Sequence, residues 1–293
     1  MGQSESASPG AQNWKLVVAY DGTDYRGWQV QPGEATIQGE LQAAIGRVTG
    51  ERPLPQGSGR TDAGVHALAQ VASFALRAPI PPESLQRALN RTLPAAIRVM
   101  EAKTVAADFH ARHSTTAKTY EYRVFIERAP AGERKICSPF LTRFVYAYPW
   151  RLHLDRLKEA ARSFIGTHDF ASFAATDSDQ AARDADAADD AGEFALRRTT
   201  IRTIFGSEWE ERGTEDGLIL VYRVRGNGFL HHMVRNLVGT MLDVGRGYRE
   251  AGEIAGMMAA RARAAAGPTA PARGLFLHSV EYGEHGEGST PLR

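Results

Sequence analysis

The chain has a single cysteine, Cys137, among 293 residues, so no disulfide can close within it. That suits a reducing compartment. Nowhere does it approach 18 uninterrupted apolar residues, the run from which a membrane helix is read. Residues 1–13 are small and polar, with no basic stretch leading into an apolar one as a secretory leader requires. These absences point to a cytoplasmic, soluble protein with a disordered N-terminus over residues 1–13. Net charge is scarce too, at +1, but it is segregated. Between Asp177 and Glu193 seven acids accompany one base, Arg183, a local net of −6 that leaves +7 on the rest. A moderately basic body with an acidic flap is compatible with RNA binding, although many proteins that bind no nucleic acid share that balance.

The apolar fraction, 43%, is enough to build a sizeable core, and the charged fraction, 24%, is ordinary for a folded protein. Lys15 to Tyr20 reads as a strand ended by the turn-forming Asp21-Gly22. Thr36 is placed to cap a helix whose Ile37, Leu41, Ala44, Ile45 and Val48 share one face, with a stop near Gly50. A short strand before Gly57, a strand over Gln70 to Leu76, a helix opened by Pro82 and a strand over Ile97 to Lys103 follow. The second half repeats the order. It has a strand over Thr119 to Ile126, a helix marked by Leu154, Leu157, Ala161 and Phe164 and ended by Gly166, and strands over Thr199 to Glu210 and Leu218 to Arg225. A helix carrying Leu230, Val234, Leu237, Val238 and Met241 comes next, then an Ala/Arg-rich helix near 250 to 265 and a last strand over Leu275 to Tyr282.

Two β-α-β-β-α-β series predict an α+β chain of two ferredoxin-like halves. Each half is a largely antiparallel sheet covered by helices, with a large cleft between the two. The expected division is an N-terminal domain over 14–110, a C-terminal domain over 111–284 and a tail over 285–293. The Asp/Ala-rich stretch at about 176–195 reads as an acidic, mobile insert.

The segment densest in potential chemistry runs from Gly57 to His66, a loop between two strands, where a rigid scaffold can present side chains. It lacks the third glycine of a dinucleotide fingerprint and matches neither a phosphate-binding P-loop nor a nucleophile elbow. What remains is Asp62 two residues after Arg60. A carboxylate near a guanidinium stays ionised at neutral pH and suits nucleophilic attack or proton abstraction. On local composition alone, a loop salt bridge with an Asx-turn explains Asp62 equally well. Asp62 with His66, His110 with His113, and His231 with His232 have spacings that invite a metal, but none completes a ligand set, and no metal is expected. By periodicity Tyr120 is a core residue. Lys118, Arg123, Arg223 and Arg225 alternate with apolar residues, as on a solvated or RNA-facing sheet surface.

Gly-Arg-Thr-Asp-Ala-Gly-Val-His at 59–66 resembles the active-site motif of the TruA family of tRNA pseudouridine synthases. Tyr20 to Gln29 and Thr36-Ile37-Gln38-Gly39 resemble its opening strand, turn and helix start, and Lys118 to Tyr122 resembles the segment with its active-site tyrosine. His168-Asp169-Phe170 with Ser172-Phe173, Asn227 to Asn236, and Pro268-Thr269-Ala270-Pro271 with Gly274-Leu275 are similar to further family motifs. They fall in the family's order and spacing across about 15–283, although the segment from Phe173 to Arg202 is longer and more acidic than in bacterial members.

The resemblance implies the pseudouridine synthase fold, with a central RNA-binding cleft. It implies a homodimer that grips the tRNA anticodon stem-loop and isomerises uridines 38 to 40, using no metal and no cofactor. Asp62 would be the catalytic carboxylate, Arg60 its motif arginine, Tyr120 the active-site tyrosine and Arg225 the arginine paired with the aspartate. Gly59, Thr61, Gly64, His66, Lys118, Asn227, His231, His232, Arg235 and Leu275 would contact substrate. Two rival readings are a non-catalytic tandem RNA-binding protein and a metal-dependent hydrolase built on Asp62, His66 and a distant histidine.

Overall fold

β1 (Gln12–Tyr20) is buried on both faces, with Trp14, Leu16 and Val18 shut from solvent on one side and Lys15 and Val17 on the other. It begins three residues earlier than the Lys15 start read from the sequence. Asn13, assigned to the frayed end, donates its side-chain amide to the carbonyls of Ala106 and Phe109, at 2.9 and 2.7 Å, and is held in the strand. A computed structural model describes residues 10–128, 134–175, 199–214 and 217–283; the acidic stretch read as an insert and the tail lie outside the described residues. These residues form two compact units, one of 10–116 with 277–283 and one within 117–276.

In the first unit β1 is followed by α1 (Ile37–Thr49), β2 (Gln56–Gly57), β3 (His66–Leu76), α2 (Pro82–Thr92) and β4 (Ile97–Val105). The strands lie in the order β4-β1-β3 with β2 on β3, every one of these pairings antiparallel. That is the ferredoxin-like arrangement expected from the element order. Thr36 caps α1 as its sequence position indicates, its Oγ1 accepting the Gly39 N–H, and the helix ends at Gly50. The Lys15 ammonium lies 5.7 Å from the Phe109 ring centroid and 4.9 Å from that of Tyr282, so a buried cation is stabilised by ring faces.

The second unit carries β5 (Thr115–Ile126, from Ala117 on), β6 (Tyr146–Tyr148), α3 (Leu154–Arg162), β7 (Gly166–Asp169), β8 (Ile201–Thr214), β9 (Gly217–Gly226), α4 (Met233–Arg246) and α5 (Glu253–Ala260). Its order is β5-β9-β8-β7, antiparallel, with β6 parallel to β5. The last strand, β10 (Leu275–Tyr282), belongs to the first unit from Leu277 on and neighbours β3.

Two strands were not foreseen. β7 is Gly-Thr-His-Asp, with no apolar residue to give an alternation, and its pairing with β8 imposes the strand. α3 stops at Arg162, before the glycine at 166 that was read as its end, and Phe164 drops into a buried aromatic group with Phe170 and Phe173. α4 starts at Met233, three residues after Leu230, because His232 sits at φ 59 and cannot continue a helix. Once begun it is buried nearly all round, packing on α3.

The second unit's sheet has two unlike faces. Tyr120, Tyr122 and Val124 on β5 share one with Tyr222 and Val224 on β9 and with Ser207 and Trp209 on β8. This is the face α4 covers, where the Trp209 indole N–H points to Met241 Sδ at 3.2 Å. The other face carries Glu121. Its buried carboxylate accepts from Arg123 Nε at 2.7 Å and Arg223 Nε at 3.0 Å, with Arg212 at 3.9 Å. Arg123 and Arg223, expected on an open sheet surface, are therefore engaged by an acid. Burial pushes the Glu121 carboxyl up, but the neighbouring guanidinium charges outweigh it and the net direction is down. A depressed folded pKa stabilises above the unfolded value, about 4.3, and that stabilisation fades as pH falls through the folded one. Glu121→Gln should therefore cost about 1–3 kcal/mol in urea unfolding at pH 7, and the gap to the parent should close below about pH 4. An equal gap at pH 3 and pH 7 would refute the electrostatic account.

Candidate active site

The glycine-rich segment between β2 and β3 has little regular structure of its own and is fixed by what surrounds it. Ser58 donates its backbone N–H to the Val71 carbonyl at 2.8 Å and its hydroxyl to Gln70 Oε1 at 2.7 Å. Gln70 Nε2 returns a hydrogen bond to the Gly59 carbonyl at 2.8 Å. These contacts anchor the segment just ahead of Arg60.

The turn after β1 grips it from Thr61 onward. Trp28 N–H donates to the Thr61 carbonyl at 3.0 Å, Gly64 N–H to the Tyr25 carbonyl at 3.3 Å, and Gly22 N–H to His66 Nδ1 at 3.1 Å. The Tyr20 hydroxyl meets the Thr61 hydroxyl at 2.8 Å in a buried setting. Two glycines make the approach possible. A Cβ at Gly22 would lie 2.0 Å from the Val65 carbonyl oxygen, and one at Gly27, where φ is +88°, would lie 2.5 Å from that of Thr61. The Asp21-Gly22 pair therefore does more than end β1: with Gly27 and Trp28 it seats the Asp62 loop. Sequence reasoning missed this role, and the signal available was the clustering of two glycines and a tryptophan within Gly22 to Trp28.

The seating divides the motif. Thr61 and His66, expected to touch substrate, are both buried, at 5% and 1% exposure. Besides accepting the Gly22 N–H, His66 Nδ1 lies 3.2 Å from Asp21 Oδ1. Arg60 and Asp62 keep partial exposure, as do Gly59 and Gly64. His110 of the other histidine pair in this unit uses its Nδ1 to accept the N–H groups of Arg112 and His113, a local turn.

In the second unit Tyr120 is 8% exposed and sets its ring edge-on to Phe229, with centroids 5.1 Å apart. Lys118 lies two residues earlier and so shares its side of β5. Arg225 does not. It pairs with Thr119, which places it on the opposite face from Tyr120, and its guanidinium lies 5.0 Å from the Phe205 ring centroid. A one-residue offset in a strand reverses the face, so the arginine expected to pair with Asp62 lies on the sheet face away from Tyr120.

Arg235, expected only as a substrate contact, lies on the helix that covers the Tyr120 face, close to Tyr122. It donates Nε to the Ala270 carbonyl at 2.7 Å, while Tyr122, two residues from Tyr120, donates its hydroxyl to the adjacent Pro271 carbonyl at 2.7 Å. Burial pushes the Tyr122 phenol above its usual range, and the nearby Arg235 charge partly opposes it. Next to Arg235, buried Asn236 ties α4 to the Pro268–Pro271 stretch, accepting from Thr269 Oγ1 at 2.7 Å and donating to Phe173 O at 2.8 Å.

Asn227 and Thr203 exchange hydrogen bonds, N–H to carbonyl at 3.1 Å and N–H to Oδ1 at 3.0 Å, so Asn227 first shapes the turn leaving β9. His231 and His232 stack at 3.9 Å just before α4, and Leu275 is buried at the start of β10.

A family model described as tRNA pseudouridine synthase matches residues 16–114 and 160–283. The chain is 49% identical over 268 residues to the tRNA pseudouridine synthase A of Solibacter usitatus, covering 92% of this chain and 98% of that protein. It is 41% identical over 270 residues to the protein of that name from Bacillus pumilus, covering 92% and 98%. The Maridesulfovibrio salexigens protein is 38% identical over 288 residues, covering 95% and 93%. No helix among the described residues is long and apolar enough to cross a membrane.

Proposed function

The chain belongs to the tRNA pseudouridine synthase family of isomerases, and from that premise we propose that it acts as a cytoplasmic homodimer on the anticodon stem-loop. There it converts uridines 38 to 40 to pseudouridine with Asp62 as the reacting carboxylate. The observation that carries the residue assignment is the seating of the Gly59–His66 loop. Its flanks are bonded to β3 and to the turn after β1, while Arg60 and Asp62 stay partly exposed.

Pseudouridine formation breaks the N1–C1′ bond, rotates the uracil and joins C5 to C1′. C5 loses a proton and N1 gains one, so the product is an isomer and no redox partner is consumed. The detached uracil has to be kept from diffusing away, which favours a pocket with little water. Flipping the nucleotide out costs a few kcal/mol, which phosphate contacts and stacking offset. Arg60 fills the vacated space or holds the flipped nucleotide. Asp62 either attacks sugar or base or removes the C2′ proton, and each route needs an ionised carboxylate.

Tyr120, oriented by its edge contact with Phe229, lies against the uracil and assists proton movement at C5. Leu275 contributes apolar wall. We assign Arg235 the electrostatic role that sequence reasoning gave to Arg225, because Arg235 lies on the Tyr120 side of the sheet and Arg225 on the reverse. Lys118 supplies a phosphate contact from that same side.

Mapping pseudouridine in one purified tRNA after incubation with the protein tests the reading. New pseudouridine confined to positions 38 to 40 is expected. Modification elsewhere, or binding without any product, would overturn it.

A further inference from the structure

Thr61 stands between the two residues assigned to the chemistry, yet it faces the interior. Its hydroxyl meets the Tyr20 hydroxyl at 2.8 Å. Tyr20 is the last residue of β1 and is 5% exposed. Gln70, fully buried and close to that phenol, holds the Ser58 hydroxyl on its Oε1 and the Gly59 carbonyl through its Nε2. Thr61 is thus tied to Tyr20, and Ser58 and Gly59 to Gln70, two neighbouring buried polar side chains inside a shell otherwise made of core residues. Polar groups are costly to bury unless fully paired, so a buried network ending on both sides of Arg60 calls for an account beyond stability.

We propose that Tyr20, Thr61 and Gln70 form a positioning device that fixes the backbone through residues 59–62 and thereby aims the Asp62 carboxylate at the reacting uridine. The inference rests on Asp62 as the reacting group. Burial pushes the Tyr20 phenol well above its ordinary range, with the polar side chains of Thr61 and Gln70 opposing this in part. It is therefore a protonated, neutral partner at working pH and acts by geometry. Reaction rates are sensitive to such geometry: displacement by about 1 Å can cost on the order of 10²-fold.

The test uses Tyr20→Phe, Thr61→Val, their combination, and Thr61→Ser, assayed by single-turnover tritium release from [5-³H]uridine-labelled tRNA at saturating enzyme. Tyr20→Phe and Thr61→Val should each slow the step about 10-fold. The double variant should be no slower than the worse single one, as expected of partners in one interaction. Thr61→Ser should restore most of the rate, and tRNA affinity should stay within about 2-fold of the parent.

Unchanged rates overturn the inference. So do losses that multiply in the double variant, that appear in tRNA affinity alone, or that Thr61→Ser fails to restore. Asp62→Asn, run alongside, separates the two ideas. If it retains the parent rate, the carboxylate assignment itself fails; if it is inactive while the hydroxyl variants are fully active, only the positioning role fails.

Discussion

Asp62→Asn is expected to lower single-turnover tritium release from [5-³H]uridine-labelled tRNA by at least about 10³-fold. The substitution keeps shape and removes one negative charge. An amide cannot serve as nucleophile or take up a proton, so neither route open to the carboxylate survives. The loop's flanking contacts at Ser58, Gly59, Thr61, Gly64 and His66 are left in place by the substitution. Its conformation should therefore persist, and with it the affinity for tRNA. That combination, binding kept and chemistry lost, distinguishes a reacting group from a structural salt bridge. Parent-like tritium release by Asp62→Asn would end the assignment; a parallel loss of binding would point to a contact residue.

Arg235→Ala should cost about 10²-fold or more in the same assay, against less than about 3-fold for Arg225→Ala. Strand parity drives the contrast. Arg225 pairs with Thr119 and stacks on Phe205, on the reverse of the sheet from Tyr120. Arg235 is secured through Nε to the Ala270 carbonyl beside the Tyr122 anchor, and its guanidinium brings a fixed charge to the Tyr120 side. Arg235→Lys keeps the charge but loses the planar fork, so it should recover only a minor part of the activity. A larger loss from Arg225→Ala than from Arg235→Ala would return the role to the strand residue.

The fold was legible wherever periodicity and turn chemistry agreed. Thr36 and Gly50 bracket α1, and the order of strands and helices gave the ferredoxin-like pairing before any distances were known. It was illegible where pairing partners impose structure on neutral sequence, as at β7, and where one residue's backbone sets a boundary, as His232 does for α4. Asp62 and Tyr120 were singled out by resemblance, since local composition left a loop salt bridge as an equal account of Asp62 and favoured a core position for Tyr120. The buried use of Thr61 and His66 was hidden because both belong to a motif whose neighbours are partly exposed. The face of β9 that Arg225 takes was not legible, because distance along the chain does not give it; the pairing with Thr119 across the ladder does.

The first unit is completed by Leu277–Tyr282, which neighbour β3 after 160 intervening residues have been threaded through the second unit. During synthesis the flank of β3 that β10 later covers therefore has to wait for almost the whole polypeptide to leave the ribosome. Until then it is an open template for pairing with other nascent chains. A messenger truncated before codon 277 would yield a protein in which the half bearing Asp62 stays permanently one strand short.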